Sequence, residues 1–152
     1  MKIAVTSGKG GTGKTTEKKK KNLIIVDGPP GIGCPAISSV TGTDHVVAVT
    51  EPTASGWHDL QRLIEMTGGF QSSLDVIINK YDLNCEMTEK IEENLRSMGI
   101  SVAGRLSYDE SALDALLNAK TINEVHPNGK FSACMEKIWE TVKKRIYESK
   151  TI

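Results

Sequence analysis

The chain has 152 residues, which is enough for one domain with a buried core. Charged residues make up 25% and apolar residues 38%, and Lys+Arg balance Asp+Glu at 19 each, so the formal net charge is zero. This balance gives no whole-chain argument for nucleic-acid binding, and no segment approaches the roughly 20 apolar residues of a membrane-spanning helix. We therefore expect a cytoplasmic protein with neither a nucleic-acid nor a membrane partner.

Short apolar segments predict the strands of one sheet. In chain order they are Lys2–Thr6, Leu23–Asp27, His45–Thr50, Leu74–Asn79 and the weaker Ser101–Leu106. The segments are continuously apolar and do not alternate with polar residues. This pattern is typical of parallel strands that are covered on both faces of the sheet.

Two amphipathic helices are predicted between the third and the fifth strand. The apolar stripe of the first consists of Trp57, Leu60, Leu63 and Ile64. We expect His58 and Asp59 to cap its beginning, and Gly68–Gly69 to end it. The stripe of the second consists of Met87, Ile91, Leu95 and Met98. Its Glu92 and Arg96 have the i,i+4 spacing of an ion pair.

Two more helices are predicted after the fifth strand. Ser107 and Glu110 have the spacing of a capping box, ahead of an apolar stripe of Leu113, Leu116 and Leu117. The stripe of the last helix consists of Phe131, Met135, Ile138, Val142 and Ile146. Its position favours packing on the sheet over membrane binding. The alternation of strands and helices predicts a three-layer, doubly wound α/β fold with a mostly parallel sheet.

A phosphate-binding motif follows the first predicted strand. Residues 8–15 read G-K-G-G-T-G-K-T and match G-x-x-x-x-G-K-[ST]. Glycines let backbone N–H groups surround phosphate oxygens, Lys14 would contact the β- and γ-phosphates, and the Thr15 hydroxyl would ligate Mg²⁺. The predicted phosphate-binding residues are Gly8, Lys9, Gly10, Gly11, Thr12, Gly13, Lys14, Thr15 and Thr16.

An acidic residue ends the second predicted strand. Asp27 closes the segment L-I-I-V-D and is followed by Gly28-Pro29-Pro30-Gly31. An aspartate at this place fits a Walker B carboxylate, which orders the magnesium shell of P-loop proteins. Asp27 and Thr15 are therefore the predicted metal-binding residues, and a plain strand-end turn is the alternative for Asp27.

Lys9 within K-G-G-T-G-K-T, together with the later D-G-P-P-G, resembles the deviant Walker A ATPases of the MinD/ParA/Mrp family. The segments V-T-E-P-T and I-N-K-Y-D-L-N are most similar to its members that carry an inserted ferredoxin domain. The resemblance implies Mg²⁺ and ATP as ligands and an ATP-dependent homodimer in which Lys9 reaches the nucleotide of the second copy. It also implies an iron–sulfur or ferredoxin-type partner, and Lys9, Lys14 and Asp27 as catalytic residues.

The chain departs from that family between its two phosphate-site motifs. Only residues 17–22 separate Thr16 from Leu23 in this chain. The relatives carry a long segment there, with a catalytic aspartate and, in the ferredoxin-bearing branch, the cluster-binding cysteines. Residues 12–22 contain no apolar side chain, so a helix there would have no face to lay on the sheet. We interpret residues 1–152 as a single nucleotide-binding domain with an internal deletion around 16–22, and we expect hydrolysis and cluster binding to be lost.

A base-recognition motif follows the fourth predicted strand. Asn79-Lys80-Tyr81-Asp82 matches the N-K-x-D guanine motif of GTPases, whereas in the MinD-like relatives an asparagine here contacts adenine. We predict Asn79, Lys80 and Asp82 as nucleotide-binding residues and favour ATP. A GTPase of the metal-insertion type, a non-catalytic scaffold and a simple strand-end turn remain the alternatives. Tyr108-Asp109 resembles the loop that lies beside the base in the family.

Overall fold

The computed structural model describes residues 1–7, 23–28, 38–69 and 72–148. Its strands are β1 (Lys2–Ser7), β2 (Ile24–Asp27), β3 (His45–Thr50), β4 (Ser73–Asn79) and β5 (Ser101–Leu106). Its helices are α1 (Ala54–Thr67), α2 (Cys85–Ser97), α3 (Ser111–Leu117), α4 (Ile122–Val125) and α5 (Lys130–Glu148). A 3₁₀ turn, Tyr81–Leu83, lies between β4 and α2. Every predicted strand is confirmed to within one residue at each end.

The strands form one parallel sheet in the order β2-β1-β3-β4-β5. The chain leaves β1 for a strand on one side and then builds β3, β4 and β5 on the other side. In such a sheet ligands bind at the carboxyl ends of the strands, where the direction of winding changes. The predicted doubly wound α/β fold is confirmed.

Helices cover both faces of this sheet. On one face α5 places Ile138, Val142 and Ile146 against strand residues that include Ile3 and Val47. On the opposite face α1 and α2 pack on the central strands, and the buried residues there are Ala48, Leu60, Leu63, Val76, Ile78, Ile91 and Leu95. Because α5 completes the core of its face, its predicted packing role is confirmed.

A bulge in β5 decides which way the side chains at the edge of the sheet point. Val76 pairs with Val102, whereas the next residue, Ile77, pairs with Gly104, so the register shifts by one residue. Gly104 consequently faces α5, and a Cβ atom there would lie 2.9 Å from Ile138 Cδ1. Only glycine lets the helix approach the strand so closely.

The same bulge overturns one predicted ion pair. Glu92 does not pair with Arg96, because the bulge turns Arg105 of β5 toward α2. Arg105 Nε and Nη2 each donate to a different carboxylate oxygen of Glu92 at 2.5 Å. A two-bond guanidinium–carboxylate contact between elements is geometrically better than an i,i+4 contact on one exposed helix face.

The predicted helix starts are wrong at two places. Helix α1 begins at Ala54, where Thr53 Oγ1 accepts a hydrogen bond from Gly56 N at 3.0 Å, so neither His58 nor Asp59 caps it. Helix α3 begins at Ser111, whose N–H donates to Asp109 Oδ1 at 2.9 Å in place of the capping box expected of Ser107 and Glu110. The α3 leucines do not enter the core, since their exposed fractions are 55%, 65% and 76% for Leu113, Leu116 and Leu117.

Replacing Thr53 by alanine tests the observed start of α1. We expect the free energy of unfolding to fall by about 1 kcal/mol, because the Gly56 N–H loses its side-chain acceptor. Thr53→Ser keeps an acceptor oxygen and serves as the matched control. Urea denaturation of both variants measures the difference, and equal stabilities would show that Thr53 is not the cap.

None of the helices within the described ranges combines the length and the apolar character that crossing a bilayer requires.

Candidate functional site

The carboxyl edge of the sheet holds the ends of β1 and β2 side by side. β1 ends at Ser7, one residue before the G-K-G-G-T-G-K-T sequence, which lies outside the described residues together with the predicted deletion around 16–22. β2 ends at Asp27, and the register of the parallel pair places Asp27 opposite Val5. The Asp27 side chain is exposed. An exposed carboxylate beside the strand that leads into a Gly-rich loop can order the hydration shell of a magnesium ion.

Gly28 fixes the path of the chain after Asp27. Its N–H donates to Val5 O at 2.8 Å, which extends the β1–β2 pairing past the end of β2. A Cβ atom on Gly28 would lie 2.9 Å from Thr6 Cβ and 3.0 Å from Val5 O, inside the usual contact limits. A glycine is therefore required here, and it holds Asp27 close to the end of β1.

A second group of polar side chains follows β4 at the same edge. Asn79 Oδ1 accepts from Lys80 N at 3.0 Å. Lys80 Nζ forms an ion pair of 2.8 Å with Glu51 in the loop after β3. Asp82 Oδ1 accepts from Tyr108 N at 2.7 Å in the loop after β5. The structure thus brings Asn79, Lys80 and Asp82 together with two neighbouring loops, whereas Asp27 lies three strands away in the sheet order.

The loop after β5 is held by its own acidic residue. Asp109 Oδ1 accepts from both the hydroxyl and the N–H of Ser111 at the start of α3. These two hydrogen bonds keep the pKa of the Asp109 carboxyl below its usual range. Tyr108, immediately before it, is 48% exposed at the carboxyl edge. The loop therefore carries a half-exposed tyrosine whose backbone N–H is bound to Asp82.

At the opposite, amino edge lies a buried polar cluster that the sequence analysis missed. His45 Nε2 lies 3.1 Å from Asp75 Oδ2, and His45 Nδ1 lies 2.5 Å from Ser73 Oγ. Arg145 of α5 donates to the other Asp75 oxygen. His45 and Asp75 are only 3% and 1% exposed. The signal in the sequence was an aspartate inside the apolar segment L-D-V-I-I-N, since a buried carboxylate requires partners.

Acidic residues, histidines and cysteines do not gather into a metal site in the part of the chain that the structure describes, where no group of three or more could hold an ion. Of the two predicted metal-binding residues, Asp27 lies within the described part of the chain and Thr15 does not. A hydrated magnesium ion on one or two protein ligands and a phosphate requires no larger cluster.

Comparison with known proteins gives one curated relative and a clear fold. No protein-family model matches the chain. An uncharacterized protein of Methanocaldococcus jannaschii, MJ0578, is 40% identical over 84 residues, which cover 51% of this chain and 30% of that protein. The matched segment thus covers less than a third of the length of that relative.

Solved structures of MinD and ParA proteins share the fold. The MinD protein of Pyrococcus horikoshii matches with a TM-score of 0.71 at 20% identity, covering 88% of this chain and 56% of that one. The cell division ATPase MinD of Pyrococcus furiosus matches with a TM-score of 0.68 at 20% identity over 80% and 52%. A plasmid partition protein of Borrelia burgdorferi matches with a TM-score of 0.68 at 16% identity over 83% and 51%. The fold is therefore that of the MinD/ParA P-loop ATPases, of which this chain spans about half the length.

Proposed function

We propose that the chain binds a magnesium–nucleoside triphosphate, ATP in preference to GTP, along the carboxyl edge of its sheet. The observation that carries the proposal is the position of Asp27 beside β1, since β1 leads directly into G-K-G-G-T-G-K-T. A Gly-rich loop after one strand and a carboxylate at the end of its neighbour are the two halves of a P-loop phosphate and magnesium site.

Each residue type of the motif has a distinct part in this site. The N–H groups of the glycine-rich segment surround the phosphates, and Lys14 neutralises the β- and γ-phosphate oxygens. Thr15 and Asp27 hold the magnesium shell. The metal ion, when bound, draws negative charge from the phosphate oxygens. Lys9 is assigned to the nucleotide of a second copy, as in the family that its motif resembles.

The base is proposed to lie at the β4 side of the edge. Asn79 is three strands from Asp27 in the order of the sheet, which is roughly 14 Å at the usual spacing of strands. A nucleotide with its triphosphate beside β1 and β2 and its base beside β4 and β5 suits this separation. Two proteins of the same fold bind nucleotides: the P. horikoshii MinD forms a complex with Mg-ADP, and the B. burgdorferi partition protein binds AMPPNP.

Partners and turnover are proposed from the family resemblance. We propose a nucleotide-dependent homodimer and, in the longer relatives, an iron–sulfur or ferredoxin-type partner. A MinC:MinD complex of Aquifex aeolicus supports protein partnership for this fold. We propose slow or absent hydrolysis, because the sequence between residues 16 and 23 leaves no room for the family's catalytic aspartate segment.

Calorimetric titration with ATP and with GTP in Mg²⁺ tests the binding proposal. We expect saturable ATP binding that Lys14→Ala removes, because the triphosphate then lacks its central positive charge. Lys137→Ala, an exposed lysine of α5, is the matched control and should bind as the wild type does. Binding that is equal in the wild type and Lys14→Ala, or no binding at millimolar nucleotide, would refute the proposal.

The two rival functions make different predictions in the same titration. A GTPase of the metal-insertion type, suggested by Asn79-Lys80-x-Asp82, would bind GTP in preference to ATP. A structural scaffold would bind neither nucleotide. Phosphate release measured against Lys14→Ala then separates a slow ATPase from a domain that binds without hydrolysis.

A further inference from the structure

The four residues of the Asn79–Asp82 motif all make contacts within the protein. Asn79 Oδ1 accepts from the backbone of Lys80, and Lys80 Nζ pairs with Glu51. The Tyr81 carbonyl accepts from Thr88 Oγ1 at 2.9 Å, and the Tyr81 ring lies under the Arg105 guanidinium at 5.8 Å. Asp82 Oδ1 accepts from a backbone N–H of another loop. The Lys80 side chain is 37% exposed and Asp82 is exposed, yet both residues also join the loop after β4 to a neighbouring loop.

Lys80 adopts a backbone conformation that needs support. Its φ of 55° lies in the left-handed region, which costs a non-glycine residue on the order of 1 kcal/mol. Three contacts compensate this cost. The Lys80 N–H donates to the Asn79 side chain, and the Lys80 carbonyl accepts from the Leu83 N–H at 3.1 Å. The Lys80 ammonium forms an ion pair with Glu51. The strained residue thus fixes the loop after β4 relative to the loop after β3.

The contact of Asp82 with Tyr108 fixes the same loop relative to the loop after β5. The donor is a backbone N–H, 26 residues away in sequence, at 2.7 Å. A carboxylate that accepts from a backbone N–H makes a short, charge-assisted bond. Hydrogen bonds from Ser111 to Asp109 fix the residues after Tyr108 at the start of α3. The bond to Asp82 therefore sets the position of Tyr108 itself.

We propose that Asp82 is a positioning residue that holds the Tyr108 loop against the β4 loop, and that its effect on nucleotide binding is the same for either base. The part of this inference that concerns nucleotides rests on the proposed function. Asp82 is exposed, and the Tyr108 N–H occupies only one of the roughly four lone-pair sites that a carboxylate offers. Because the bond from the Tyr108 N–H to Asp82 Oδ1 holds this loop in place, loss of Asp82 loosens one wall of the proposed base site for any nucleotide.

Two substitutions at Asp82 separate positioning from base reading. Asn at this position still offers an oxygen to the Tyr108 N–H, whereas Ala offers none. We expect Asp82→Ala to weaken ATP and GTP binding by the same factor, about 3- to 10-fold, and Asp82→Asn to stay within about 2-fold of the wild type for both. Asp114→Ala, an exposed aspartate of α3, is the matched control.

Hydrogen exchange of the Tyr108 amide tests the bond without any nucleotide. We expect slow exchange in the wild type and in Asp82→Asn, and exchange at least about 10-fold faster in Asp82→Ala. Unchanged exchange in Asp82→Ala would overturn the proposal. So would an Asp82→Asn variant that keeps ATP, loses GTP and gains xanthosine triphosphate, since an asparagine amide can donate to the 2-oxo group of xanthine. If the wild type binds no nucleotide, the proposed function fails and the Tyr108 exchange alone decides the role of Asp82.

Discussion

Asp75→Ala is expected to lower the free energy of unfolding by about 3 kcal/mol, at the lower end of the range for breaking a buried ion pair. The carboxylate is 1% exposed and serves two partners, His45 Nε2 on one oxygen and Arg145 on the other. Without it the guanidinium loses its counter-charge. The side chain of Arg145 is 34% exposed, so water recovers part of the loss.

Two further variants separate the charge of Asp75 from its hydrogen bonds. Asp75→Asn keeps an oxygen for one partner and removes the negative charge, so we expect a loss of about 1–2 kcal/mol. Glu93→Ala, an exposed carboxylate on α2, should change stability by less than about 0.5 kcal/mol. Urea denaturation followed by the fluorescence of Trp57 and Trp139 gives each value. A loss below about 1 kcal/mol for Asp75→Ala would mean that the cluster is not coupled to folding.

The strands were predictable because each is encoded by consecutive residues. An apolar run such as V-V-A-V in β3 is buried wherever it pairs, and the structure confirms all five segments. The order of the strands was not predicted, since it depends on which distant segments meet. The phosphate motif was likewise readable from adjacent residues, whereas its geometry remains a prediction because residues 8–22 lie outside the described part of the chain.

The errors have a common origin in contacts between separate elements. Glu92 was assigned to Arg96 from helix spacing, yet a one-residue bulge in a strand turned Arg105 toward it. The His45 cluster draws on β3, β4 and α5, so no local pattern contains it. The start of α3 was misplaced because Asp109, and not Ser107, is the residue whose side chain meets a free N–H. Local sequence specifies which residues are able to cap or pair, and tertiary packing selects among them.

Gly104→Ala is expected to cost about 2 kcal/mol of unfolding free energy, because the added methyl group would overlap Ile138. The Cβ position lies 2.9 Å from Ile138 Cδ1 and closer still to Cγ1, where contacts between carbon atoms normally begin near 3.5 Å. Ile138 is 4% exposed and packs among the other buried residues of the α5 core. Either the Ile138 side chain or helix α5 must therefore move away from β5, and a shift of the helix also disturbs the contact between Cys134 Sγ and Arg105 O.

A second substitution in α5 identifies the cause of that loss. Ile138→Ala alone should cost about 2–5 kcal/mol through the cavity it leaves. If overlap with Ile138 is the reason, the double variant Gly104→Ala/Ile138→Ala is more stable than the sum of the two single losses by at least about 1 kcal/mol. Gly69→Ala is the matched glycine control, since a Cβ there would meet Met66 O at an ordinary 3.8 Å. Strict additivity of the two single losses would mean that Gly104 is required for the bulged backbone of β5 itself, and not for the approach of α5.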